Sequence, residues 1–134
     1  MVSRKRRIRD PLKAYQDLCH LLGEIGYLVD AIIVEGLRDV EALRRLDFIG
    51  RIEISSRVSV SDADFVESLA GEINSVVILT DFDEEGRVIN NRLTGLFERR
   101  GVKVETGLRH EVSRLMAVLR VYTVEALDNV AHRL

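Results

Sequence analysis

One cysteine in 134 residues excludes a disulfide within the chain, and Cys19 stands among Leu18, Leu21 and Leu22, where a small buried hydrophobe fits better than a nucleophile. Aromatic residues are scarce: no tryptophan, three tyrosines and four phenylalanines. None interleaves with the basic residues, so recognition of single strands by base stacking is not supported. Tyr15 and Tyr122 fall on apolar helical stripes and Tyr27 beside a strand, which predicts core packing for all three. His20 and His132 have no partner at ligand spacing and read as structural. No apolar run approaches the roughly 20 residues that span a bilayer. The N-terminal "MVSRKRRIRD" has the charge of a signal peptide without its apolar segment. The expectation is a cytoplasmic protein without a membrane partner. Repeats, low-complexity tracts and linkers are also missing, which points to one domain.

What is present can bury one core: 46% of the residues are hydrophobic and 31% charged. The net charge of −2 is unevenly spread. Arg4, Lys5, Arg6, Arg7 and Arg9 precede Asp10, while the remaining residues carry 15 lysines and arginines against 22 acids, a net −7. Residues 1–10 therefore read as a basic arm that either holds a phosphate backbone or is a solvated terminus, and residues 11–134 as the domain.

Asp10-Pro11 starts a helix, with Leu12, Tyr15, Leu18, Cys19 and Leu22 on one face and an end near Gly23 and Gly26. "YLVDAIIVEG", "GRIEIS", "SVVILTD" and "VKVET" read as strands. "LRDVEALRRL", "SDADFVESLAGEI" and "EEGRVINNRLTGLFERRG" are the helices between them, and residues 108–134 close the chain as one or two helices. Such alternation predicts a three-layer α/β/α domain on a four-stranded, mainly parallel sheet. Glu35, Ser55, Asp81 and Gly107 then emerge at one edge, where open sheets of this class bind ligands.

The stretch "VVILTDFDEEGRVI" ends an apolar strand with Asp81 and Asp83, followed by Glu84 and Glu85. Charges so close repel unless a cation lies between them. "AIIVEGLRDVEAL" ends another apolar strand in Glu35. If the first strand lies beside the third, Glu35 faces Asp81 and Asp83, and three carboxylates form a hard oxygen site suited to magnesium. Such a site can bind phosphate and orient a water or hydroxyl for attack.

"VEGLRDVEAL", followed some forty residues later by "LTDFDEEGRVI", resembles the two motifs of the Toprim domain, shared by topoisomerases, primases, OLD-family nucleases and 5S ribosomal RNA maturases. The likeness covers about residues 28–106. It implies that Asp81 and Asp83 hold Mg2+, with Mn2+ as a substitute, and that Glu35 joins them or acts as general acid/base. Asp39, Gly36 and Gly86 match the motifs as supporting positions, though Asp39 is also favourable as an acid at a helix start. The chain lacks the cysteines of primase zinc modules and a tyrosine on a separate domain, so it looks like a small stand-alone Toprim protein. The resemblance implies processing of nucleic-acid phosphodiesters by a nuclease-like hydrolase, or else metal-dependent binding of nucleic acid or nucleotide inside a larger complex. RNA or DNA, a protein partner and a homodimer all stay open.

Phosphatases of the haloacid dehalogenase type also carry a DxD, but on the first strand and with a downstream lysine. Here the motif is on the third, and the only later lysine is Lys103, inside a strand. Receiver domains need a lysine where this chain has Thr106-Gly107. Arg38 and Arg87 in the helices after the acidic motifs, and Arg109 and His110 after the fourth strand, are the candidate phosphate-binding residues.

Overall fold

In the computed structural model, which describes residues 10–134, four strands alternate with helices; the basic arm, apart from Asp10, lies outside the described residues. Helix α1 (Pro11–Leu28) starts where Asp10 Oδ1 accepts from the Leu12 and Lys13 amides at 3.1 and 3.4 Å. It continues through Gly23 and Gly26, where a break was expected, because Ile25 adds one more buried turn and both glycines face outwards. Then come β1 (Ala31–Val34), α2 (Leu37–Arg45), β2 (Ile52–Ile54), α3 (Asp62–Ala70), β3 (Ser75–Ile78), α4 (Glu84–Arg99) and β4 (Lys103–Val104). Helix α5 (Thr106–Val118), a 3-10 turn at Glu125–Asn129 and α6 (Val130–Arg133) complete the chain.

The sheet order is β2-β1-β3-β4 with every pairing parallel. Period-two alternation divides the strand residues between two cores. Ile32, Val34, Val77 and Leu79 pack with α1, α2 and α5, while Ala31, Ile33, Val76 and Ile78 pack with α3 and α4. A strand of four buried residues such as β1 needs cover on both faces, and the helices supply it.

Strand β1 continues through α2 to one sheet edge, and β3 through α4 to the other. Their C-terminal ends are therefore neighbours from which the chain departs in opposite directions. A crevice opens at such a switch point.

Three helices end by one device. In α2, α4 and α5 the residue after the C-cap takes a left-handed conformation, and the next amide reaches back to a carbonyl five residues earlier: Phe48 to Leu43, Val102 to Phe97 and Val121 to Met116. Glycine fills that position only in α4, at Gly101; the others are Asp47 and Arg120. No helix among the described residues is long and apolar enough to cross a membrane.

Candidate functional site

Register places the acids. Ile33 pairs with Ile78, and the Leu79 amide donates to the Ile33 carbonyl at 2.7 Å. Two residues further, the Asp81 amide donates to Glu35 Oε2, also at 2.7 Å. A side-chain oxygen thus continues the ladder where the backbone diverges, and it brings the two acidic motifs together.

Within "DFD" the alternation of faces sends Phe82 into the core, leaving Asp81 half-buried and Asp83 exposed. Asp83 is the N-cap of α4, its Oδ1 accepting from the Gly86 amide at 2.8 Å. Gly86 is a steric requirement. A Cβ there would lie 1.9 Å from the Asp81 carbonyl oxygen, and the Gly86 carbonyl accepts from buried Thr80 Oγ1 at 2.7 Å.

Asp39 is buried at the start of α2. One carboxylate oxygen accepts from the Gly36 amide at 3.1 Å, the other from the Glu125 amide at 3.2 Å. Burial is the main reason that its pKa is raised. Gly36 has nothing near the place a Cβ would take, so glycine is not sterically required there.

The resulting cleft, about 480 Å³, is lined by Glu35, Asp39, Glu41, Asp81 and Glu125, with Arg38 as its cation. The Asp81 pKa is lifted to about 7, first by burial and then by the charges of Glu35, Asp39, Asp83 and Glu125. Such a field favours a cation. Among the described residues, however, no three His, Cys, Asp or Glu side chains are drawn around one point as ligands.

A Toprim domain model matches residues 30–115. The chain belongs to the Toprim domain family. Two relatives are similar to it in sequence. UPF0292 protein MJ1624 of Methanocaldococcus jannaschii is 40% identical over 60% of this chain and 62% of its own length. UPF0292 protein Mbar_A0484 of Methanosarcina barkeri is 35% identical over 94% and 86%. The chain thus spans less than two thirds of the first relative and most of the second. A solved structure from Aquifex aeolicus superposes with a TM-score of 0.67 at 22% identity, over 83% of this chain and 95% of that one, which shows a common fold.

In this Toprim domain the phosphate candidates separate. Arg38, Arg87 and His110 are exposed, and Arg38 reaches Glu125 at 3.3 Å. Arg109, expected at the surface after β4, lies instead one turn inside α5, which begins at Thr106, and is buried. Its Nη1 donates to the carbonyls of Ile78 and Thr80, both at 2.9 Å, and Nη2 to that of Asp81 at 3.1 Å. The guanidinium also sits 4.3 Å from the Phe82 ring centroid. Burial lowers its pKa to about 10, against the pull of Glu35 and Asp81, so it stays charged at neutral pH. Arg109 is a strut beneath the DxD loop rather than a group facing phosphate.

Sequence reading missed the strap of residues 121–125. The Tyr122 carbonyl accepts from the Phe82 amide at 2.7 Å, and Glu125 meets Asp39 and Arg38, so one segment joins both acidic motifs. Only "TVEA" hinted at it, as Thr123 capping a turn through the Ala126 amide. Tyr15 packs against the core as expected, whereas Tyr27 is 93% and Tyr122 60% exposed, because α1 reaches Leu28 and α5 stops at Val118.

Proposed function

We propose that this Toprim protein holds magnesium with Glu35, Asp81 and Asp83 and cleaves nucleic-acid phosphodiesters, RNA or DNA. The observation that carries this reading is the junction of the acidic motifs, with Asp81 bonded through its amide to Glu35 and its own carboxyl raised to about 7 by burial and the surrounding acids. The donor set fits the ion: all ligands are hard oxygens, and Glu35 and Asp83 each keep an oxygen beyond those bonded to the Asp81 and Gly86 amides. Magnesium takes one or two carboxylates and completes its shell with water and substrate phosphate, which suits acids that are near one another without forming a closed cage. When bound, it would neutralise the developing charge on the phosphate and lower the pKa of a water.

The chain's own residues divide the remaining work. Glu35, arriving from β1, exchanges a proton with the attacking or leaving oxygen. Arg38 and Arg87 lie in the helices that follow the motifs and attract the phosphate, Arg38 after leaving Glu125. Arg109 and Asp39 hold the two loops in register.

The test is incubation of labelled DNA and RNA panels with magnesium or manganese, comparing wild type with Glu35→Gln. That variant keeps shape and hydrogen bonding but cannot take up a proton. The expected result is metal and nucleic-acid affinity within a few-fold and a rate lower by roughly 10²–10⁴. Binding without cleavage by the wild type, on every substrate, would favour instead a metal-dependent binding module of a larger complex.

A further inference from the structure

We propose that a groove away from the acidic cleft is a second nucleic-acid site, an arginine track that holds the phosphate backbone and leads it towards the carboxylates. The groove, about 750 Å³, lies between the start of α1, the C-terminal end of α5 and α6. Arg114, Arg120 and Arg133 line it with apolar Leu119 and Val130, and no acidic side chain among the described residues does so. The other six lining residues are apolar, so the side-chain charge of the groove is wholly positive on a body with a net charge of −7. Arg114 is shared with acids that do not line the groove: Glu111 pairs with it at 3.0 Å, and Asp17 adds to the same field.

Arg120 supplies the second observation. It ends α5 in the left-handed position, with φ 59°, where α4 uses glycine. Asparagine and aspartate are the side chains that tolerate this conformation best, so Asp47 needs no special reason at the end of α2. An arginine there is locally unfavourable. Arg120 nonetheless stands there, among the residues that line the groove.

The third observation is connection. Two residues after Arg120, Tyr122 is bonded through its carbonyl to Phe82 between the two aspartates, and Glu125 follows against Asp39 and Arg38. In sequence, then, the short strap of residues 121–125 joins a groove residue, Arg120, to a cleft residue, Glu125. Pro11 also lines the groove, and in sequence it follows closely on the five cations of residues 4–9.

A polyanion with regularly spaced phosphates is the occupant this distribution fits, since guanidinium forks bind phosphate oxygens without regard to base sequence. The inference rests on the nucleic-acid reading above, but it concerns affinity rather than chemistry. It is therefore testable without metal.

The experiment is anisotropy of labelled single- and double-stranded DNA and RNA 20-mers with the 134-residue chain in EDTA, from low to moderate salt. Arg120→Gly, Arg133→Gln and their combination are compared with wild type. Each substitution is expected to reduce the slope of log affinity against log salt by roughly 0.7–0.9, and the pair by about twice that. Arg120→Gly should also melt no lower than wild type, because glycine suits the position. A folded double variant with wild-type affinity and slope would overturn the track. So would a wild type that binds no strand in EDTA, or one that binds polyglutamate and no nucleic acid. Magnesium-dependent cleavage that depends on Glu35 but is indifferent to the double variant would remove the track and leave the metal site standing.

Discussion

At the scale of single residues, position 86 shows how a motif can be dictated by space. A methyl group at Gly86 would overlap the Asp81 carbonyl, and both ends of the DxD loop would have to move. Gly86→Ala is expected to destabilise the fold by roughly 1–3 kcal/mol and to weaken metal binding. A calorimetric or denaturant titration measures the first, an ion titration the second. Asp81 makes a pH prediction. Its pKa is about 7 folded against 3.8 as the ordinary value, so the folded chain holds the proton more tightly. A raised acid gives stability that is greatest at low pH and is lost as pH climbs from about 4 through about 7. For metal-free protein the loss should be on the order of 1–2 kcal/mol once screening across the open cleft is allowed for. Asp81→Asn should flatten that part of the profile and melt no lower than wild type at pH 8; a profile unchanged by the substitution would contradict the field described at the cleft.

Elements are held in place by groups whose role is invisible in sequence. Arg109 ties α5 to the end of β3 through three backbone carbonyls and covers Phe82. Arg109→Met would leave those acceptors buried and unpaired, at a cost of roughly 3 kcal/mol or more. Lysine, a point charge without the fork, should recover only part of it. Melting of both variants in EDTA checks this, and a wild-type melting point for Arg109→Met would sink the strut. The strands, the cap at Asp10 and the carboxylates at two strand ends were legible because each rests on local chemistry: period-two apolarity, a side-chain oxygen before a helix, charges after a buried run. Arg109 was misread because "TGLRH" shows a charge after a strand, and only tertiary packing decides that α5 starts at Thr106 and turns the arginine inwards. Glu125 and Tyr122 were missed for a related reason. The strap bonds to residues 40 to 86 positions away, a separation no local pattern reports.

Across the whole molecule, charge is sorted: acids gather at the switch point between β1 and β3, and arginines line the groove by α5 and α6. The basic segment of residues 1–9 adds five positive charges to the chain. Deleting it should reduce the salt slope of nucleic-acid binding by roughly 0.7–0.9 for each phosphate that it neutralises. An unchanged slope would make it a solvated tail. The clustered carboxylates are proposed to hold a divalent cation. Three acids that repel one another in its absence should be stabilised when it binds, by an amount that rises with free concentration and is lost with the ligands. The direct measurement is the melting temperature of wild type, Asp81→Asn and Asp83→Asn at pH 8 over a magnesium titration. Wild type should shift upwards in a saturable way and the two variants hardly at all; equal shifts in all three would contradict the account.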